Sequence, residues 1–146
     1  MRISFFVLGI ISVLIIAIIG INYLTPKPPF TIINGHLFSL YLAKTPNERE
    51  VGLAEFNKIE NNQGMLFLFN KPDYYSFWMK NMHFPIDIIF ISNNKIVDIF
   101  KKVPVSKNNN LPIYTTRQKA DKVLEINAGL SDKYHIDINS IVNIRL

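Results

Sequence analysis

Two acidic residues stand where a carboxylate is costly. Asp87 interrupts the apolar run PIDIIFI at 85–91, and Glu125 lies inside VLEI at 123–126. Desolvated side by side, such a pair divides into an acid that keeps its proton and a base that has lost it, which is the arrangement of many hydrolases. Standing apart, each needs its own partners, and for Asp87 these are backbone amides or the cations Arg49 and Lys80. The same stretch carries the single tryptophan, in FWMKN at 77–81. Strand alternation sets Phe77 and Met79 on one face and Trp78 and Lys80 on the other. With Asn81 beside it, an exposed Trp78 forms a stacking and hydrogen-bonding surface.

Other chemistries find little support. Ser76, His83 and Asp87 can be drawn as a hydrolytic triad, but no nucleophile elbow accompanies them. His36, His83 and His135 fall in separate segments without metal-ligand spacing, and the absence of cysteine removes thiolate sites and disulfides. No metal is expected. Neither a dinucleotide fingerprint nor a phosphate-binding loop is present, so no cofactor is expected either. The net charge of +5 is spread along the chain. Lys101, Lys102 and Lys107 read as solvated or lipid-facing, and nucleic acid is not an expected partner.

The elements that must position these residues are short. Residues 31–33 and 36–43 read as a hairpin around Asn34-Gly35. Thr45, Pro46 and Glu48 form a capping-box signature, which starts a short helix ending near Phe56. Residues 65–69 form a strand buried on both faces, Lys71-Pro72-Asp73 turns the chain, and residues 75–80 form the next strand. Residues 86–91 and 95–101 flank a hairpin tip at Ser92-Asn93-Asn94. Residues 122–126 form a strand, Asn127 or Ser131 caps a second short helix, and residues 141–146 close the chain as a strand. The expected fold is a β-rich α+β domain, a small barrel or rolled sheet with two short helices.

Five segments carry a family resemblance: ERxxGL at 48–53, GMLFxF at 64–69, FWMKN at 77–81, PIDIIFI at 85–91 and LExxAG at 124–129. In order and spacing they resemble the domain of unknown function 192 family, over roughly residues 30–146. The resemblance implies a small, often exported or membrane-anchored bacterial domain, and no activity to transfer. Two departures stand out. Gly52-Leu53-Ala54-Glu55-Phe56 lacks the basic residue usual after the family's GLM. His135 to Ser140 replaces a GIxxGD turn, with His135 and Asn139 in place of the glycines and Ser140 in place of the acid. Asn, and to a lesser degree His, tolerates the positive φ such a turn needs.

Residues 3–24 contain no charge and are long enough to span a bilayer, and no small-residue cleavage pattern follows them. The expected organisation is an N-terminal transmembrane anchor at 1–24, a stiff TPKPP linker at 25–29 and a domain at 30–146. Arg2 and the N-terminal amine favour an N-inside, single-pass orientation, with the domain on the extracytoplasmic face of the cell membrane. The functional expectation is a binding or assembly module of the bacterial envelope, using Arg49, Trp78, Lys80, Asn81 and Asp87 toward an envelope protein or polymer. The alternative is a hydrolase of envelope polymers working through Asp87 and Glu125. Convergence of the two carboxylates in one pocket favours the enzyme, and separation favours binding.

Overall fold

The computed structural model describes residue 10 and residues 28–106 and 111–146. The expected anchor, Ile10 apart, and Lys107 therefore lie outside the described residues, among which no helix is long and apolar enough to cross a membrane. The chain runs β1 (Phe30–Ile33), β2 (His36–Ala43), α1 (Pro46–Val51), a 3-10 turn (Gly52–Glu55), β3 (Gln63–Asp73), β4 (Ser76–Trp78), β5 (Ile86–Ser92) and β6 (Lys95–Val103). After the loop come β7 (Ile113–Thr115), β8 (Ala120–Asn127), α2 (Leu130–Lys133) and β9 (Val142–Arg145).

Seven strands form one sheet in the order β6-β5-β8-β3-β2-β1-β9, and β4 and β7 form a separate ribbon. Only β2 and β3 pair in parallel, and the segment from Pro46 to Asn62 makes their crossover. The long sheet curls into a half-barrel until its two ends meet. Lys95 at the start of β6 bridges Ile141, and the Ile96 and Val142 amides donate to Ser140 and Asn94 at 3.0 and 2.9 Å. One core fills the curl and takes a buried residue from every strand of the sheet, among them Ile33, Phe38, Leu66, Ile89, Ile96, Leu124 and Val142. A second core lies on the opposite face. There Phe67, Ile88, Phe90 and Val123 pack under Leu53, Ile59, Met79 and Met82.

The local chemistry explains the elements. Asn34 (φ 49°) and Gly35 (φ 81°) supply the two left-handed residues of the first hairpin, and Asn93 and Asn94 (φ 49° and 58°) supply those of the β5–β6 tip. The Glu48 amide donates to Thr45 Oγ1 at 3.2 Å while Glu48 Oε2 accepts from the Thr45 amide at 2.8 Å, so the capping box forms as expected. His135 (φ 52°) and Asn139 (φ 74°) do adopt the left-handed conformation at the turn where the family has glycines. Gly64 lets β3 lie close against β8, since a Cβ there would stand 2.7 Å from the Glu125 carbonyl oxygen.

Three expectations need correction. Lys71-Pro72-Asp73 does not turn the chain but completes β3, after an irregularity between Leu68 and Asp73 that accommodates the missing proline N–H. The strand expected over 75–80 is only Ser76–Trp78, because it pairs with the equally short β7 and not with the main sheet. The second helix has Gly129 at its N-cap with no side-chain cap of its own, so neither Asn127 nor Ser131 plays that part. Lys102 is solvated as expected, with its side chain 64% exposed, and both lysines also form ion pairs: Lys101 bridges Asp132 and Asp137 at 3.0 and 2.9 Å, and Lys102 reaches Asp132 at 2.6 Å.

Candidate functional site

Asp87 and Glu125 do not converge. Asp87 is paired across the ladder with Ile126, of the core inside the curl, whereas Glu125 is paired with Ile88 and Met65, of the opposite core. Neighbours directly across a ladder share a face, so the two carboxylates occupy opposite faces of the sheet. The acid–base pair of the hydrolase alternative is therefore not assembled.

Asp87 is fully buried and serves the backbone. Its Oδ1 accepts from the amides of Lys102 at 2.7 Å and Gly129 at 3.0 Å, and Oδ2 accepts from the Ser131 amide at 2.8 Å. The β5–β6 register slips by one residue beside Ile86, which lifts Lys102 (φ 55°) out of the ladder and leaves its N–H to the carboxylate. Backbone amides, and not Arg49 or Lys80, are thus what hold this charge. The drawn triad dissolves with it, since Ser76 Oγ is hydrogen-bonded to Thr115 Oγ1 at 2.8 Å.

Glu125 is different. It is 4% exposed, and its Oε2 is buried without any hydrogen-bond partner. Burial pushes its carboxyl up to about 8, and no cation stands close enough to oppose that. The side chain lies in the floor of a pocket of about 400 Å³, with Gly52, Leu53, Phe67 and Met82 as the other buried lining residues. Gly52 (φ 55°) lies against the carboxyl: a Cβ there would meet the Phe67 ring at 3.2 Å and stand 3.9 Å from Oε2. The walls are aromatic. Phe77 meets Phe67 edge-on at 5.0 Å between ring centroids, and Phe69 stacks on Tyr75 at 3.6 Å.

The mouth is charged. Arg49 lies over the Phe69 ring at 5.1 Å and Lys80 over the Trp78 ring at 5.3 Å, and Glu50 lines the same rim. Arg49 Nη1 donates to the carbonyls of Lys44 and Leu68, which anchors the guanidinium, and its Nε and Nη2 have no hydrogen bond among the described residues. Neither Arg49 nor Lys80 is ion-paired among the described residues. Trp78 is 44% exposed and Met79 only 1%, as strand alternation requires. Of the expected site residues, Arg49, Trp78 and Lys80 meet at this pocket. Asn81, held at φ 58°, borders the adjoining hollow with Asn47, Glu55 and Lys80, and Asp87 lies on the other side of the sheet.

Sequence reasoning missed the walls and the rim acid. The spacing of Phe67 and Phe69 in GMLFLF could have revealed one wall, but it reads equally as core. It also missed Asp98, a fully buried acid whose two oxygens are held by the guanidinium and amide of Arg117. Burial would raise that carboxyl, but the Arg117 hydrogen bonds outweigh it and hold it below the usual range.

The sequence profile of the domain of unknown function 192, described as an uncharacterized ACR, matches residues 30–144. The chain belongs to this family. Among solved structures it resembles a protein of unknown function from Novosphingobium aromaticivorans, with 30% identity, a TM-score of 0.71, and coverage of 78% of this chain and 83% of that one. It also resembles a Sinorhizobium meliloti protein provisionally described as a transcription regulator, at 27% identity and a TM-score of 0.71 over 82% and 96% of the two chains. No functionally curated protein matches.

The two faces of β4 predict two classes of variant in this family member. Phe77→Ala removes a half-buried ring that meets Phe67 and Phe90 edge-on, and in urea unfolding it should cost at or below the lower end of the about 3–5 kcal/mol of a fully buried phenylalanine. Lys80→Ala, on the exposed face, should cost less than about 0.5 kcal/mol. Equal losses would make the FWMKN segment a structural latch throughout.

Proposed function

We propose that this protein is a ligand-binding module of the bacterial envelope and that its site is the pocket over Glu125. The observation that carries the reading is the buried, unpartnered Oε2 in the pocket floor. A carboxyl kept only for structure acquires partners, as Asp87 and Asp98 do here, because an unsatisfied buried polar group costs about 1–3 kcal/mol. Residues 1–24 tether the domain as a single-pass anchor, and the TPKPP linker holds it on the extracytoplasmic side. The uncharged run 3–24 with Arg2 ahead of it supports that placement. An envelope protein or polymer is the class of partner available there.

The test uses Trp78, the only tryptophan, as a reporter at the pocket mouth. The full chain in detergent micelles is titrated with a library of small organic fragments and soluble envelope oligosaccharides. Saturable, mutually competing changes in Trp78 emission are expected, and a Glu125→Leu variant that melts cooperatively should weaken them for compounds that carry a hydrogen-bonding group at the buried end. If no compound produces a saturable change in the wild type, the pocket is not a binding site. A reporter fused after Leu146 that works only outside the cytoplasm should be active, and an expressed but inactive fusion would reverse the orientation.

A further inference from the structure

Resting on that reading, we infer that the pocket takes a small anionic ring compound, with its carboxylate or phosphate at Lys80 and Arg49 and a neutral hydrogen-bonding group at the far end, against Glu125. Three observations fix the three parts. At the mouth two cations, Arg49 and Lys80, face one acid, Glu50, and neither cation is ion-paired among the described residues. The Nε and Nη2 groups of Arg49, without a hydrogen bond among the described residues, are a donor pair for a planar anion, while Lys80 adds a point charge at the same pocket. An ammonium ligand would meet these two cations first and be repelled.

The pocket is lined by the rings of Phe67, Phe69, Tyr75, Phe77 and Trp78, which favours a flat ring in contact with them over a branched aliphatic body. Its volume of about 400 Å³ holds on the order of a dozen water-sized groups, at roughly 30 Å³ each. One ring with a short substituent at either end fills it. At the floor, the protonated Glu125 presents an O–H donor and a carbonyl acceptor, and Oε2 has no protein partner. A ligand hydroxyl or amide satisfies it, and a purely apolar tip leaves it unsatisfied.

Four probes separate these features: 3-(4-hydroxyphenyl)propionate, its neutral propionamide, tyramine as the cation, and 3-phenylpropionate, which lacks the hydroxyl. Each is titrated into the full chain in micelles at neutral pH, with the midpoint of the Trp78 emission change read as affinity. The hydroxyphenyl carboxylate should bind tightest, about tenfold better than the propionamide and better still than tyramine. Removal of the hydroxyl should weaken it by about fivefold, and Glu125→Leu should abolish that difference between the two carboxylates. Lys80→Ala should weaken the carboxylate by about fivefold and leave the propionamide unchanged. Tighter binding of tyramine or of the propionamide overturns the anionic class while leaving the pocket as a site. Equal binding of the two carboxylates removes Glu125 from recognition. If none of the four binds while other fragments do, the ring anion is wrong and the binding reading stands.

Discussion

Replacement of Asp87 by alanine should remove about 4–6 kcal/mol of stability, enough to leave a domain of ordinary stability largely unfolded. The substitution strands the amides of Lys102, Gly129 and Ser131, all of which donate to this one carboxylate at 2.7 to 3.0 Å. A buried N–H without an acceptor costs about 1–3 kcal/mol, which applies in full to the Ser131 amide and in part to the part-buried amides of Lys102 and Gly129. Asp87→Asn keeps one acceptor oxygen but points an NH2 group at an amide donor, so it should cost roughly half as much. Urea unfolding of the two variants beside the wild type gives the ranking. An alanine variant within about 1 kcal/mol of wild type would show that the bulge and α2 hold themselves, and would return Asp87 to the list of candidate functional groups.

Asp87 also shows what could be read from the sequence alone. That an acid inside PIDIIFI must be satisfied follows from burial, and backbone amides were among the partners that chemistry allows. Which amides they are depends on a one-residue slip between β5 and β6 that places Lys102 beside Asp87, a feature of two segments fifteen residues apart and not of either one. The Asn34-Gly35 turn and the Thr45 cap were legible because their signals act within four residues, whereas the turn expected at Lys71-Pro72-Asp73 and the cap expected at Asn127 or Ser131 are overridden by strand pairing and by Gly129. The β4–β7 ribbon was not, since Ile113-Tyr114-Thr115 has no strand signal until it finds Ser76–Trp78. The site divides in the same way. Trp78 and Lys80 were placed correctly on an outer face by alternation, and Arg49 joined them through the capped helix. The separation of Asp87 from Glu125 required the register of β5 against β8, because a shift of one residue moves a side chain to the other face of the sheet.

Glu125→Gln should raise stability at neutral pH and flatten its dependence on pH. The folded carboxyl titrates at about 8, against an ordinary value of 4.5, because burial among Met65, Phe67, Ile88 and Gly52 disfavours its charged form. Below pH 4.5 both the folded and the unfolded chain hold the proton, and the group contributes no slope. Between about 4.5 and 8 the unfolded chain has released a proton that the folded chain still holds, so stability falls as pH rises, by about 1.4 kcal/mol per unit, and it levels off above 8. Asp98 acts in a separate window. Its lowered carboxyl gives stability that is complete above its ordinary value of 3.8 and is lost only as pH falls through the lower folded value. Glutamine fills the same volume without a proton to lose. At pH 7 it should be more stable than glutamate by about 2 kcal/mol, after allowance of about 1.4 kcal/mol for its own unpartnered amide, and at pH 4.5 the order should reverse, with glutamine about 1 kcal/mol less stable. Urea unfolding of both chains at pH 4.5, 6, 7 and 8.5 measures the difference directly. Parallel profiles would mean that water or a rearranged neighbour already solvates the carboxylate, and the unpartnered acid in the pocket floor would then lose its claim to be held ready for a ligand.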